Sequence, residues 1–309
     1  MTRLTIVIRT HDREGLLGLL LDTLAVARLP AGGAEVLVIA NNCRDGTHAL
    51  LAARAETFPL PLRWIAEPKA GKSHALNRAL PEVATPLVAF VDDDQRVDEG
   101  WIEALFAAAD GHPEADLFCG RLIPDWDGSE PPWVHDRGPY RIYPLPTPDF
   151  APGDEERWLD PSGPLPGGGN IVAHLPWLAR VGPFATELGP VGHNLGGGED
   201  ADWLRRAFAA GARLLYVPTM LQLHHVESER LTVGYLMQKA YKRTAASIGL
   251  DGHEAHGVPA YVYRKLAGYM LAALTAVDSD RRRFYLIRSA AAAGELVGHR
   301  RLRQTPRVR

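Results

Sequence analysis

Apolar runs of strand length alternate with stretches of helical period over the first hundred residues. Leu4 to Ile8, Glu35 to Ile39, Leu62 to Ala66 and Leu87 to Val91 are the strand-like runs. Between the first two, Leu16, Leu17, Leu20, Leu21 and Leu24 recur at helical spacing behind Asp12, a residue suited to capping. Turn chemistry at Asn41 to Gly46 precedes a second helix over Thr47 to Glu56, and GKSHALNRAL, from Gly71, precedes the fourth run. A helix over Glu99 to Ala109 then places Trp101, Ile102, Leu105 and Phe106 on one side. Strand and helix in alternation require right-handed crossovers, so the predicted class is α/β, a mainly parallel sheet flanked by helices. Each polar turn follows a strand. Thr10, His11, Asn41, Asn42, Lys72, Asp92, Asp93 and Asp94 are therefore expected to gather in one cleft at the carboxyl edge.

The pattern breaks at Pro124. Through Pro166, proline, glycine, Trp126, Trp133, Tyr140, Tyr143 and Trp158 occur with little periodicity. This predicts an ordered, loop-rich insertion that covers the sheet edge or stacks aromatic rings on a sugar. Order resumes with a short helix over Leu175 to Val181 and a glycine hinge over Leu195 to Gly198. A helix follows from Asp200 through Trp203, Leu204 and Phe208 to Gly211, then strands over Leu214 to Val217 and Thr219 to Leu223. Beyond Thr232 the chain reads as three helices, Val233 to Ile248, Pro259 to Val277 and Arg281 to Val297, and a frayed basic tail. The uncharged run Leu266 to Val277 has 12 residues, too few to span a bilayer. With Tyr261, Tyr263, Tyr269 and Arg281 to Arg283 around it, this C-terminal helical extension either rests on a membrane as a peripheral element or packs on the main domain or in a homodimer.

Composition narrows the classes. A chain of 309 residues accommodates one large α/β domain with appendages or two smaller ones, and 46% hydrophobic residues suffice for a packed core. The formal charge of -3 and pI near 6.5 give no reason to expect nucleic acid. Cys43 and Cys119 form neither a disulfide framework nor a zinc spacing, as suits a reducing compartment. The start, MTRLTIVIRT, enters a strand pattern directly and lacks the marks of a secretory signal. A cytoplasmic protein is expected.

Two acidic groups carry candidate chemistry. Asp92, Asp93 and Asp94 follow a buried strand, where adjacent carboxylates repel unless a cation or solvent screens them. Strand alternation would point Asp92 and Asp94 together and Asp93 away, an outline suited to Mg²⁺ or Mn²⁺; the other reading is a solvated acidic turn before a helix. Glu199 and Asp200 open a helix behind glycines, as a general base or as caps. His224 and His225 follow a strand-like segment. Two glycine motifs are decoys. AGKS, from Ala70, has Ala66 where a phosphate-binding P-loop needs glycine, and GGGN, from Gly167, lacks dinucleotide-binding spacing.

The order of motifs resembles glycosyltransferase family 2: a strand ending in IRTHD, then NNCRDGT, GKSHALN, FVDDD, GGGN, GEDADWLRR and a late histidine. The resemblance covers about Leu4 to Thr232, and HHVESERLT followed by YLMQKAYKR is similar to the branch associated with bacterial exopolysaccharide synthesis. It implies the Rossmann-like GT-A fold and inverting transfer of a sugar from a nucleotide donor, with UDP as the default base. It also implies Mg²⁺ or Mn²⁺ as cofactor and a glycan or lipid-linked acceptor. The implied division is a catalytic domain over 1–228 and a helical region over 229–309. Within the first, 1–122 would bind nucleotide, 123–166 is the insertion and 167–228 serves the acceptor.

Carried over by position, the resemblance implies that Asp92 approaches ribose or metal and that Asp94 binds the metal bridging the diphosphate. Thr10 and Asn41 would line the nucleobase pocket, with His11, Asn42 and Asp93 on the same donor side, and Lys72 would be a basic nucleotide contact. Gly168, Gly169 and Asn170 match an acceptor-side loop, Asp200 the catalytic base and Glu199 the acid beside it. His224 would complete the metal or diphosphate site, and Arg230 would help hold phosphate. Ala40 replaces a common aspartate, Asn41 stands where an acidic base-reading residue can occur, Cys43 replaces a usual serine and His174 a common arginine. Other uses of such a fold are a non-catalytic nucleotide-sugar or glycan-binding module and a nucleotidyltransferase. IRTHDREG lacks the glycine-rich loop of the latter.

Overall fold

A computed structural model describes residues 2–143, 145–189, 198–250 and 257–304. Of the predicted hinge only Gly198 lies among them, with a left-handed φ of 107°; the last five residues of the predicted tail lie outside. The chain divides into two compact units, one of Met1–Asp125 with Pro148–His225, the other of Trp126–Thr147 with Val226–Arg309.

The first unit is built on a sheet of nine strands among the described residues. Its leading half follows the alternating pattern: β1 (Leu4–Thr10), α1 (Glu14–Val26), β2 (Ala34–Asn41), α2 (Thr47–Thr57), β3 (Leu62–Glu67), α3 (Lys72–Ala79) and β4 (Leu87–Asp92). These strands are parallel in the order β3-β2-β1-β4. Their alternate side chains feed two cores. Ile6, Ile8, Val36 and Val38 pack with the α1 leucines, whereas Val7, Leu37 and Ile39 pack with Ala75 and Leu76 of α3. Each fully buried leucine contributes about 1.5–3 kcal/mol relative to exposure.

Asp12 does not cap α1. It adopts a left-handed φ of 49°, and its Oδ1 accepts from the Arg44 and Asp45 amides at 2.5 and 3.3 Å. Asp45 supplies the acceptor that Asp12 was expected to provide, taking the Glu14 amide at 2.9 Å and the Thr47 amide and hydroxyl at 3.1 and 2.6 Å.

Beyond β4 the sheet is mixed. The remaining elements are β5 (Gln95–Val97), α4 (Trp101–Gly111), β6 (Leu117–Asp125), β7 (Arg157–Trp158), β8 (Ile171–His174), α5 (Leu175–Val181), α6 (Glu199–Ala209) and β9 (Leu214–His225). β8 runs antiparallel to β4 and β6, β6 runs parallel to β9, and β5 and β7 pair antiparallel with β9. The two predicted strands around Pro218 are one, with a register shift against β6 between Gly120 and Arg121 that absorbs the proline. Gly120 is required there, because a Cβ would collide with the Met220 carbonyl.

The second unit comprises α7 (Val233–Leu250), α8 (Ala260–Thr275) and α9 (Ser279–Gln304), with α9 packed on the other two. Gly294 and Gly298 let α9 approach α7; a Cβ at Gly298 would lie 2.9 Å from the Ala245 carbonyl. Buried Glu295 ties α9 to α8 through Lys265 at 2.6 Å and Tyr261 at 2.7 Å. The insertion does not act only as an edge cover. Tyr140 meets Phe284 and Tyr285 with ring centroids 5.8 and 6.0 Å apart, and Arg283 lies 5.0 Å over Trp133, so Trp126–Thr147 belongs with the helices. The later part does border the sheet, through β7 and a bridge from Phe150 to Leu122.

Candidate active site

Register builds the site. Arg9 on β1 pairs with Asp92 on β4, and Arg9 Nε donates to Asp92 Oδ1 at 3.3 Å. The strand stops at Asp92, so alternation no longer governs the next two residues, and Asp93 does not point away alone. Asp93 and Asp94 form a turn whose carboxylates both accept from Arg13 Nη1, at 3.1 and 2.8 Å. The turn feeds β5, where Gln95 lies opposite His224 of β9. That pairing brings His224 Nε2 to 3.5 Å from Asp94 Oδ1.

The histidine is oriented for a ligand role. Its Nδ1 lies 2.7 Å from the His225 carbonyl, which only accepts, so Nδ1 carries a proton and Nε2 is the ring nitrogen turned toward Asp94. Asp94 Oδ1 is buried and has no hydrogen-bond partner. A divalent cation would satisfy both atoms, and the donor set suits Mn²⁺ or Mg²⁺ with one imidazole.

A second acidic group meets the first. β8 pairs with β4 at Phe90 and Ile171, so the residues before Ile171 run beside Asp92. A Cβ at Gly169 would lie 2.6 Å from Asp92 Oδ2, and one at Gly168 would lie 2.6 Å from Asp200 Oδ2. The Gly168 amide donates to that Asp200 oxygen at 2.5 Å. Side chains at either glycine would occupy the space of a carboxylate. Asn170 faces the other way, clamping the Gly120 amide and carbonyl at 2.7 Å each. It shapes the loop rather than presenting its amide to an acceptor.

Lys72 joins the two groups. From the first turn of α3 its buried Nζ lies 3.0 Å from Glu199 Oε1, 3.5 Å from Asp200 Oδ2 and 3.6 Å from Asp92 Oδ1. Burial opposes its charge, but Asp92, Asp200 and Glu199 outweigh that and hold the ammonium protonated well above the usual lysine range. Asp92 sits below the usual carboxylate range because Lys72 and Arg9 overcome its burial. Burial pushes Glu199 up to about 7 against the pull of Lys72, with Asp200 adding to the rise. Asp200 is partly buried, yet Lys72 and the Glu199 carboxyl keep it low. Below about pH 7, therefore, the pair carries its proton on Glu199 and its charge on Asp200. Asp93 is raised by burial and by the neighbouring Asp94 charge.

The residues expected to line a nucleobase pocket fall at the ends of β1 and β2. Thr10 is fully buried, and His11 Nδ1 lies 2.7 Å from the Asn41 carbonyl. The Asn41 amide donates to the Glu67 and Lys69 carbonyls at 3.1 and 2.7 Å and accepts from the Gly71 amide at 2.9 Å. Its side chain latches the loop into α3, so any influence on a base passes through that loop. Asn42 continues the latch from a left-handed φ of 52°, its amide donating to Glu67 at 2.8 Å. Arg230 belongs to the second unit, where it pairs with Glu227 at 2.8 Å. Asp12, Cys43 and Asp45 also bring metal-type donor atoms within 4.8 Å of one another, but both carboxylates already accept backbone amides.

Arg9 and Arg13 were missing from the sequence-derived site. A signal existed: three adjacent carboxylates at the end of one parallel strand need cations, and these arginines flank the end of the neighbouring strand.

Residues 5–162 match the glycosyl transferase family 2 model, which covers half of the chain. The chain belongs to this family. Uncharacterized glycosyltransferases of Mycobacterium tuberculosis and Mycobacterium bovis are 36% identical over 109 residues, 35% of this chain and 45% of theirs. The chain thus matches less than half the length of these relatives. The mannosyltransferase PcManGT from Pyrobaculum calidifontis, solved with GDP-Man and Mn²⁺, has a TM-score of 0.57 at 18% identity, covering 94% of this chain and 86% of that one. S. aureus TarS 1-349 with UDP gives 0.56 at 14%, covering 100% and 93%. These likenesses establish the GT-A fold for this family 2 chain.

Proposed function

We propose that this family 2 glycosyltransferase moves a sugar from a nucleoside-diphosphate donor, with UDP as the favoured base, to a hydroxyl of a glycan or lipid-linked acceptor. The reaction inverts the anomeric centre and serves bacterial surface polysaccharide synthesis. The observation that carries this reading is Lys72, whose single ammonium touches both Asp92 on the donor side and Asp200 on the acceptor side. The PcManGT and TarS complexes, holding GDP-Man, UDP and UDP-GlcNAc, support a nucleotide-sugar donor.

Asp94 and His224, with Asp92 beside them, would hold Mn²⁺ or Mg²⁺. A cation there supplies charge stabilisation for the departing diphosphate. Asp200 takes the proton of the acceptor hydroxyl as its oxygen attacks the anomeric carbon and the carbon–phosphate-oxygen bond breaks. A single displacement of this kind inverts configuration. Gly168 fixes the base through its amide. Lys72 suppresses the basicity of Asp200 in the free protein, and a diphosphate entering beside Asp92 competes for that ammonium and restores it.

A screen of nucleotide sugars with and without Mn²⁺, read by thermal shift and by slow donor hydrolysis, tests the proposal. A donor-specific rise in Tm that requires the metal, with released nucleoside diphosphate, is expected. No stabilisation by any nucleotide sugar would remove the reading.

A further inference from the structure

Taken by units, a nearly neutral chain is strongly polarised. The first unit holds 17 Lys and Arg against 27 Asp and Glu, a formal -10, and the second holds 17 against 10, a formal +7. Such asymmetry points the basic part toward an extended anionic partner.

The second unit also leaves an apolar face open. On α8, Tyr263, Ala267, Met270, Leu271 and Leu274 fall within about 100° of arc, and Val277 follows the helix. Leu271 is 63% exposed, Leu274 79% and Val277 103%, whereas Val262 and Ala273 on the packed side are buried. A helix face that only meets water carries charged side chains; this one carries leucine and methionine. Exposed Arg264, Arg281 and Arg282 border it. The nearby acids serve the start of α9, Asp278 accepting the Arg281 amide at 3.0 Å and Asp280 pairing with Arg283 at 2.8 Å. In the same unit, a cavity of about 500 Å³ is lined by Arg137, Arg141, Tyr143, Phe284 and Arg288. Its three arginines are exposed, and guanidinium groups match phosphate oxygens in pairs.

We propose that the second unit docks on an anionic bilayer surface, with the apolar face of α8 at the acyl boundary and the arginines of the cavity on lipid headgroup phosphates. Among the described residues no helix is long and apolar enough to cross a membrane, so the helix lies along the surface. A second copy of the chain would cover the apolar face but would set +7 against +7. A nucleic acid would meet the arginines and leave the leucines in water. Lipid satisfies both features.

The full chain is floated with phosphatidylcholine vesicles, with and without phosphatidylglycerol, at low salt. Binding to the anionic vesicles should exceed binding to the neutral ones at least about tenfold and fall as salt rises. Leu271→Glu with Leu274→Glu, and separately Arg141→Glu with Arg288→Glu, should each cut binding about tenfold. All four residues are exposed, so circular dichroism and nucleotide binding should stay unchanged, which separates this test from the transferase reading. Inorganic phosphate at the same ionic strength should not displace the protein. No flotation with anionic vesicles would overturn the proposal. So would full binding by the leucine variant, which would mean adsorption by charge alone. A dimer in light scattering that Leu271→Glu with Leu274→Glu dissociates would assign the face to self-association instead.

Discussion

In the first unit Arg9, Arg13 and Lys72 are largely buried, and each meets carboxylates within 3.6 Å, whereas in the second Arg137, Arg141 and Arg288 ring an open cavity and face solvent. The same residue types do different work because their surroundings differ. Enclosed charges fix each other's ionisation and geometry, as Lys72 does for Asp92 and Asp200, and salt screens them little. Exposed charges set no local geometry but attract a distant surface. A substitution in the first unit should therefore act on chemistry, and one in the second on where the protein sits.

The largest expected effect that sharpens this contrast is Asp200→Asn. Removing the base should lower transfer about 10³-fold while donor affinity, measured by calorimetry, holds. Near-normal turnover would take Asp200 out of its role. Next is Gly168→Ala, whose new Cβ would crowd Asp200 Oδ2. Displacing the base should lower kcat about 10–100-fold with little change in donor binding. An equal loss of donor affinity would mean a general disturbance of the cleft.

A smaller effect is on stability against pH. Glu199 rises from its ordinary 4.5 to about 7 on folding because it is buried. The folded state then binds more protons than the unfolded state between those values. Its contribution is fully present below about pH 4.5 and is lost as pH rises through about 7. Glu199→Gln should flatten the fall in Tm across this window and leave the variant on the order of 2 kcal/mol more stable than the parent at pH 8. An unchanged Tm–pH curve would show that Glu199 is ionised in the folded protein.

The two halves of the sheet differ in how far the sequence discloses them. β1, β2 and β4 are buried on both faces and read as nearly continuous apolar runs, the half-buried edge strand β3 is marked by Leu62, Trp64 and Ile65, and the turns that follow them carry polar residues to one edge. β6 gives no unbroken run because Gly120 and Pro124 interrupt it, β8 offers only the short IVAH, and β9 reads as two strands on either side of Pro218. Their order depends on long-range pairing that periodicity does not encode. The carboxylates of the site were legible as residue types at strand and helix ends. Their partners were not: Arg9 and Arg13 are recognisable only once β1 is known to lie beside β4. Asn41 shows a different limit, since an amide able to read a base is equally able to latch a loop, and here it latches one.

The central proposal is that Asp94 and His224, which lie 3.5 Å apart, hold a divalent cation on the donor side of the cleft. Mn²⁺ titration of the full chain, followed by electron paramagnetic resonance of the free ion with UDP present, tests it most directly. One bound ion per chain is predicted, with affinity about 10–100-fold weaker in His224→Ala. Equal Mn²⁺ binding by the parent and His224→Ala, or none by the parent, would contradict the account.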